Sequence, residues 1–319
     1  MNSPERSVFE KIANPHDLEH PALVGLAIGA VSAYAAGVVI SGWLHRSTHG
    51  GVEYSEGTKK LWRGANWFLT GMPKAEWSDH LVHHAYPDRE DHQAQDDWNA
   101  NRPTGAPEAP IEAFRDPYSG IQEGYLTVLF NTSGLHRRAK KKIMPFLYGL
   151  HEFDQESGAQ TRDHWPTHLR RVDMEEANPQ ALRNKYPFAG LILKGTVETV
   201  LFGPAVSAVS IPTHIVSMLY MGGDINAVKH TGQKQGFRNR IRVLLGKDEP
   251  VPNSRGEFAA DMNKGYEALV LGEPSHERHH NNPEDPYLVG NNNLLRDPVG
   301  FLISKLVKFN LATTPGANK

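Results

Sequence analysis

Cysteine is absent from all 319 residues of the chain. That excludes disulfides, thiolate zinc sites, iron–sulfur clusters and a cysteine nucleophile. A charge excess of either sign is missing too, since 34 Lys and Arg balance 36 Asp and Glu, giving a formal −2 and a pI near 6.8. Such a chain has no global electrostatic attraction for nucleic acid, and none is expected as a partner. Residues 1–20 are polar and lack the basic, apolar and cleavage regions of a signal peptide. No internal repeat or low-complexity tract stands out. The mean hydropathy of −0.50 reads as soluble on average. That average conceals one long apolar segment and a second, mixed one.

What the chain does have is histidine, 17 in all. In GEPSHERHH, His276, His279 and His280 fall within five residues. Offsets of three and four place such rings within roughly a 100° arc of one helix face. The same H-x-x-H-H spacing recurs in SDHLVHH at His80, His83 and His84, and LHRSTHGG sets His45 and His49 one helical turn apart. One pair at this spacing is weak; three clusters point to a metal site. Imidazole suits iron, zinc, copper and nickel. Eight donors exceed what one tetrahedral ion can use, which implies two metals.

From Pro21 to Leu44 there is no charged side chain. These 24 residues would reach about 36 Å as a helix, enough to cross a hydrocarbon core of roughly 30 Å. Gly25, Gly29, Ala33 and Gly37 share one face, as in helices that pack closely in lipid. The alternative is a buried core helix. Trp43 stands where an interfacial belt residue would, with His45 just beyond it. LWRGANWFLTGM, within 51–79, is too short to span and reads as interfacial. The stretch DREDHQAQDDWNANRPTGAPEAP reads as a polar loop. Residues 111–186 carry short helical patterns and a basic run, HRRAKKK, read as a solvated cap or as a surface for anionic lipid. Residues 187–222 are apolar again, divided by Gly203-Pro204. Lys194 and Glu198 are placed to pair at i, i+4. If all clusters meet at one site, this zone must enter the membrane and return as a short hairpin. Lys229, Lys234, Arg238, Arg240 and Arg242 beside it favour a cytoplasmic face. VGFLISKLVKF, near the end, is amphipathic and could pack on the body or lie on the membrane surface.

The ordered boxes H-x3-H, H-x2-HH and H-x2-HH resemble those of the membrane fatty acid desaturases, most closely the Δ9 acyl-CoA/acyl-lipid branch. DHLVHHAYPD is similar to that family's second box, GEPSHERHHNNPEDPY to its third, and NAVKHTGQKQGFRN to its intervening N-x3-H element. The resemblance covers roughly 40–130 and 187–290. It implies nine ligands to two irons: His45, His49, His80, His83, His84, His230, His276, His279 and His280, with Asn226 acting through water. No catalytic residue beyond these ligands is implied. The implied fold is all-α and forms a single domain. Membrane helices (a span near 21–44 and a hairpin near 187–222) are capped by a cytoplasmic helical part, 45–186 and 223–319, that holds the di-iron site. The implied reaction is O2-dependent insertion of a cis double bond into a fatty acyl chain carried by CoA, acyl carrier protein or lipid. Electrons would come from a separate ferredoxin or cytochrome b5, because no donor domain is fused. One span precedes the first box here, where the family usually has two.

Other readings compete. A related histidine-box hydroxylase or oxygenase acting on a lipid would use the same clusters. His276, Glu277 and His280 also spell the H-E-x-x-H of zinc metalloproteases, but no histidine follows His280 to complete that site. The soluble carboxylate di-iron fold needs E-x-x-H pairs on separate helices, whereas Glu273/His276 and Glu277/His280 overlap. Asp79 and Glu273 are candidates to orient ligating rings, and His92 is the remaining histidine expected nearest the site.

Overall fold

The structure is a computed structural model and describes residues 20–72, 74–87, 89–117, 125–174, 185–186, 188–230, 271, 282–288 and 294–314; within these, the side chains of 75–76, 125–140 and 222–230 are not described. Its described residues are mostly helical. Helix α1 (Pro21–Val39) begins with a proline in the first turn, where a missing N–H costs nothing. It runs on without a break into a π-helical turn, Ile40–Arg46. A two-residue strand β1 (Glu53–Tyr54) leads into α2 (Glu56–Leu69), whose first turn is capped by Ser55 accepting from the Thr58 N–H at 3.4 Å. A 3-10 turn, Lys74–Trp77, delivers α3 (Ser78–Ala85), and α4 (His92–Asn101) follows.

After a second 3-10 turn (Ile111–Phe114), α5 spans Tyr125–Ser157 with Pro145 inside it. The apolar hairpin is α6 (Ala189–Phe202) and α7 (Pro204–His230). Gly203 breaks it with φ of +85°, a backbone that glycine adopts without a steric penalty, and Pro204 starts the next helix. The chain closes with α8 (Pro298–Lys308) and β2 (Ala312–Thr313), which pairs antiparallel with β1.

The small-residue face of α1 does what its spacing predicts. A Cβ on Gly25 would lie 2.7 Å from the Val206 carbonyl, and one on Gly29 would lie 2.6 Å from that of Ser210. Backbone of α1 therefore touches backbone of α7, an approach any larger side chain would block. Farther along, Gly37 receives the Leu271 side chain. The outward faces are apolar and exposed: Leu23, Leu26 and Val31 on α1, Ile192, Val197 and Val200 on α6, Val216 and Leu219 on α7. Pro21–Arg46 and Pro204–Met221 are each long and apolar enough to cross a membrane. Helix α6, at 14 residues, is too short to span alone.

The described residues form two apolar cores. One joins Leu81 and Val82 of α3 to Ile143, Phe146, Leu147 and Leu150 of α5, with Trp165 and Leu169 closing it. The other gathers Trp43, Tyr54, Trp62, Leu271, Val299 and Ile303.

Three expectations change. The polar stretch after Pro87 is not all loop, because α4 forms within it. Its Asp91 cap accepts from the Ala94 N–H at 2.9 Å, and Gln95 and Asn99 bond the backbone of Ala109. Residues 125–157 form one long helix rather than short pieces. Trp43 is not interfacial; it is 1% exposed, tilted against Tyr54, with the Lys74 ammonium 4.3 Å above its ring. The aromatic partners of the second core outbid the water interface.

Candidate metal centre

Two segments build the site. The π-helical turn ending α1 brings in His45, and the turn after it brings His49, whose N–H bonds the His45 carbonyl at 3.3 Å. Helix α3 supplies His80 and His84, one turn apart on its inner face. Ring centroids across the two segments are 4.5 Å apart for His45–His80 and 4.2 Å for His49–His84. One nitrogen from each of the four rings lies within 4.8 Å of all the others. His45, His49 and His80 are buried and His84 is half-buried. Trp77 meets the cluster edge-on, its ring centroid 5.2 Å from that of His80.

The donor set fits a metal ion. Nitrogens bound tetrahedrally at 2.0–2.1 Å stand about 3.3 Å from one another. The Nε2 atoms of His80 and His84 are 3.1 Å apart. Two neutral imidazoles meeting Nε2 to Nε2 need either a proton between them or a cation shared by both lone pairs. Among the described residues, these four rings gather with no carboxylate in the set, which favours a nitrogen-loving transition metal over calcium or magnesium.

His83 shares α3 but faces elsewhere. Its Nδ1 lies 3.0 Å from both carboxylate oxygens of Asp116, with both side chains closed to water. Asp79 is buried at the start of α3. His92 is not one of the four clustered rings: its side chain is 66% exposed and paired with Glu90 at 2.8 Å. The backbone at Asn226 and His230 belongs to the last turns of α7, and their side chains are not among those described. His276, His279, His280 and Glu273 lie outside the described residues.

The segments flanking the third cluster are described, and they converge on the first. Arg46, next to His45, donates to the carbonyls of Leu271 at 3.3 Å and Pro286 at 2.7 Å. It is also ion-paired with Asp297 at 2.8 Å. Arg171 donates to the carbonyl of His49 at 2.6 Å and to the Glu284 carboxylate at 2.5 Å.

Asp116 is the residue that sequence reasoning misses. It lies 33 positions beyond His83, and no local spacing relates the two. Lys194 and Glu198, by contrast, pair as their spacing predicts, at 2.6 Å and buried, with Ser210 donating to the second Glu198 oxygen at 3.0 Å. His214 is an ordinary packed histidine that bonds the Ser32 hydroxyl at 2.8 Å and donates to the Leu69 carbonyl at 2.9 Å.

Compared with known proteins, the chain matches no family model and no curated sequence.

Proposed function

We propose that the chain is a membrane-bound, O2-dependent fatty acyl desaturase with a histidine-ligated di-iron centre on its cytoplasmic face. The observation that carries this reading is the meeting of His45, His49, His80 and His84, from two separate segments, at the end of an apolar helix. His230, His276, His279 and His280, with Asn226 through water, complete the proposed shell around a second ion with His83. Covalent reach favours this. His276 is five residues from Leu271 and His280 two from Asn282, which keeps them within about 18 Å and 7 Å of anchored backbone. When bound, the two irons supply oxygen activation strong enough to remove hydrogens from an unactivated acyl chain.

The protein's share is placement and exclusion. The buried rings of His45, His49 and His80 keep water from their donors, and Trp77 lies edge-on beside His80. The exposed apolar faces of α1, α6 and α7 lie in lipid, so that an acyl chain reaches the site from the bilayer. Electrons come from a separate ferredoxin or cytochrome b5, and the acyl carrier is CoA, acyl carrier protein or a lipid.

The test is expression in a host of known lipid profile together with a matched electron donor, followed by fatty acid analysis. New monoenes support the reading, and His80→Ala should remove both them and metal. Hydroxylated acyl chains would make the protein the related hydroxylase. An iron-replete, donor-supplied preparation that oxidises no lipid refutes both.

A further inference from the structure

His80 and His84 turn into the four-ring cluster, but His83 does not. A step of about 100° along the helix carries its ring off that face. The ring remains adjacent, with centroids 6.0 Å from His80 and 5.6 Å from His84. Its Nδ1 faces both oxygens of Asp116 at 3.0 Å, and the two side chains are 1% and 0% exposed. A carboxylate only accepts, so Nδ1 holds the hydrogen, and in the neutral ring a ligand must be, Nε2 then holds the lone pair.

Backbone pairing delivers this carboxylate. The Asp116 N–H donates to the Arg89 carbonyl at 2.9 Å, and the Asp91 N–H donates to that of Phe114 at 2.9 Å. Glu90 and Arg115 form an antiparallel bridge between these bonds. The strap after α3 thus returns to the helix it left and places one acid against one imidazole.

We propose that Asp116 is the positioning residue of the second metal position. It fixes His83 in the Nδ1–H form, leaves Nε2 as the ligating atom, and raises that nitrogen's basicity. Carboxylates do this to ligating histidines wherever they accept the other ring N–H. The inference rests on the two-metal reading above and adds to it a residue outside every histidine box. A purely structural ion pair would not need the tautomer, whereas a ligand does.

The experiment uses the full chain in detergent, stripped with chelator and titrated with Co2+, with bound metal and the cobalt visible spectrum as readouts. Wild type should bind two ions. Asp116→Asn should weaken one binding class 10- to 100-fold and alter its spectral band, leaving the other class intact. Asp116→Ala should bind one ion, and His49→Ala should lose the opposite class. Asp116→Asn preserves volume and an acceptor, so it carries the test if the alanine variant unfolds. Unchanged affinities and spectra in Asp116→Asn would overturn the proposal, whatever its melting temperature. One ion per wild-type chain would instead remove the two-metal reading, and with it the second position.

Discussion

Replacing Asp297 should cost more stability than any single change among the histidines. Both side chains of the Arg46–Asp297 pair are closed to water, at 0% and 1% exposure. One carboxylate oxygen accepts from Arg46 Nη2 at 2.8 Å and from the Gly300 N–H at 2.7 Å. The other accepts from Arg46 Nη1 at 3.2 Å and the Leu288 N–H at 3.0 Å. Asp297→Ala removes all four at once. Losing the cap of α8 costs about 1 kcal/mol, and an uncompensated buried guanidinium costs about 3–5 kcal/mol. These terms overlap, so the expected loss falls below their sum, at about 3–5 kcal/mol, a large fraction of a typical domain's 5–15 kcal/mol.

The discriminating comparison is a double-mutant cycle. Asp297→Asn keeps an acceptor for the cap but leaves Arg46 charged and buried. Arg46→Met with Asp297→Asn buries no charge and retains that acceptor. The double variant should therefore be more stable than the sum of its singles by at least ~2 kcal/mol. Equilibrium denaturation in detergent measures this, and metal content is the second readout because His45 adjoins Arg46. Asp297→Ala within ~1 kcal/mol of wild type, or a coupling near zero, would refute the reasoning.

Three further perturbations test other joints. Lys194→Met leaves the Glu198 carboxylate buried and unpaired and should cost about 3–5 kcal/mol, whereas Lys194→Met with Glu198→Gln should recover most of it; additive losses in thermal unfolding would count against a coupled pair. Gly29→Ala puts a methyl 2.6 Å from the Ser210 carbonyl and should destabilise by about 1–3 kcal/mol, and a neutral effect would mean that α1 and α7 are not held backbone to backbone. His168 packs edge-on against Tyr86 and Phe114 and donates to the Ala113 carbonyl at 2.8 Å; burial pushes its pKa down to about 4. The unfolded chain then takes up its proton first, near pH 6.5, so this contribution is complete above that value. It declines by up to ~3 kcal/mol as pH falls to about 4. In the metal-free protein, His168→Gln should flatten the melting temperature across that window, and equal slopes for variant and wild type would oppose the assignment.

How much was legible from residues alone follows from the range of each interaction. The small face of α1, the Gly203-Pro204 break, the Lys194–Glu198 pair and the one-turn spacings of His45/His49 and His80/His84 are all local patterns, and each appears in the fold. Helix α4 has no apolar stripe to announce it. It is held by a cap, by Gln95 and Asn99 on the Ala109 backbone, and by Trp98 donating to the His164 carbonyl at 3.1 Å. Trp43 could be assigned to an interface only while its partners, Tyr54 and Lys74, were unknown. Asp116 reaches His83 through a strap whose pairing no local rule predicts. The chemistry of the rings was visible; the acid that orients one of them was not.

The π-helical turn explains how one short stretch serves two purposes. Ser41 through Arg46 are all buried, which a regular amphipathic helix end does not achieve over six consecutive residues. A wider turn adds a residue without ending the helix, and such bulges recur at functional sites. Here it lets neighbours face opposite ways. His45 turns to the rings of α3, and Arg46 turns to Leu271, Pro286 and Asp297. A wrong phase at this turn would cost the four-histidine cluster and the carboxy-terminal anchor together. Deleting one residue within Ile40–Leu44 should therefore abolish metal binding and expose the carboxy-terminal segment to protease in the same variant. If either survives while the other is lost, the two are not set by a common turn.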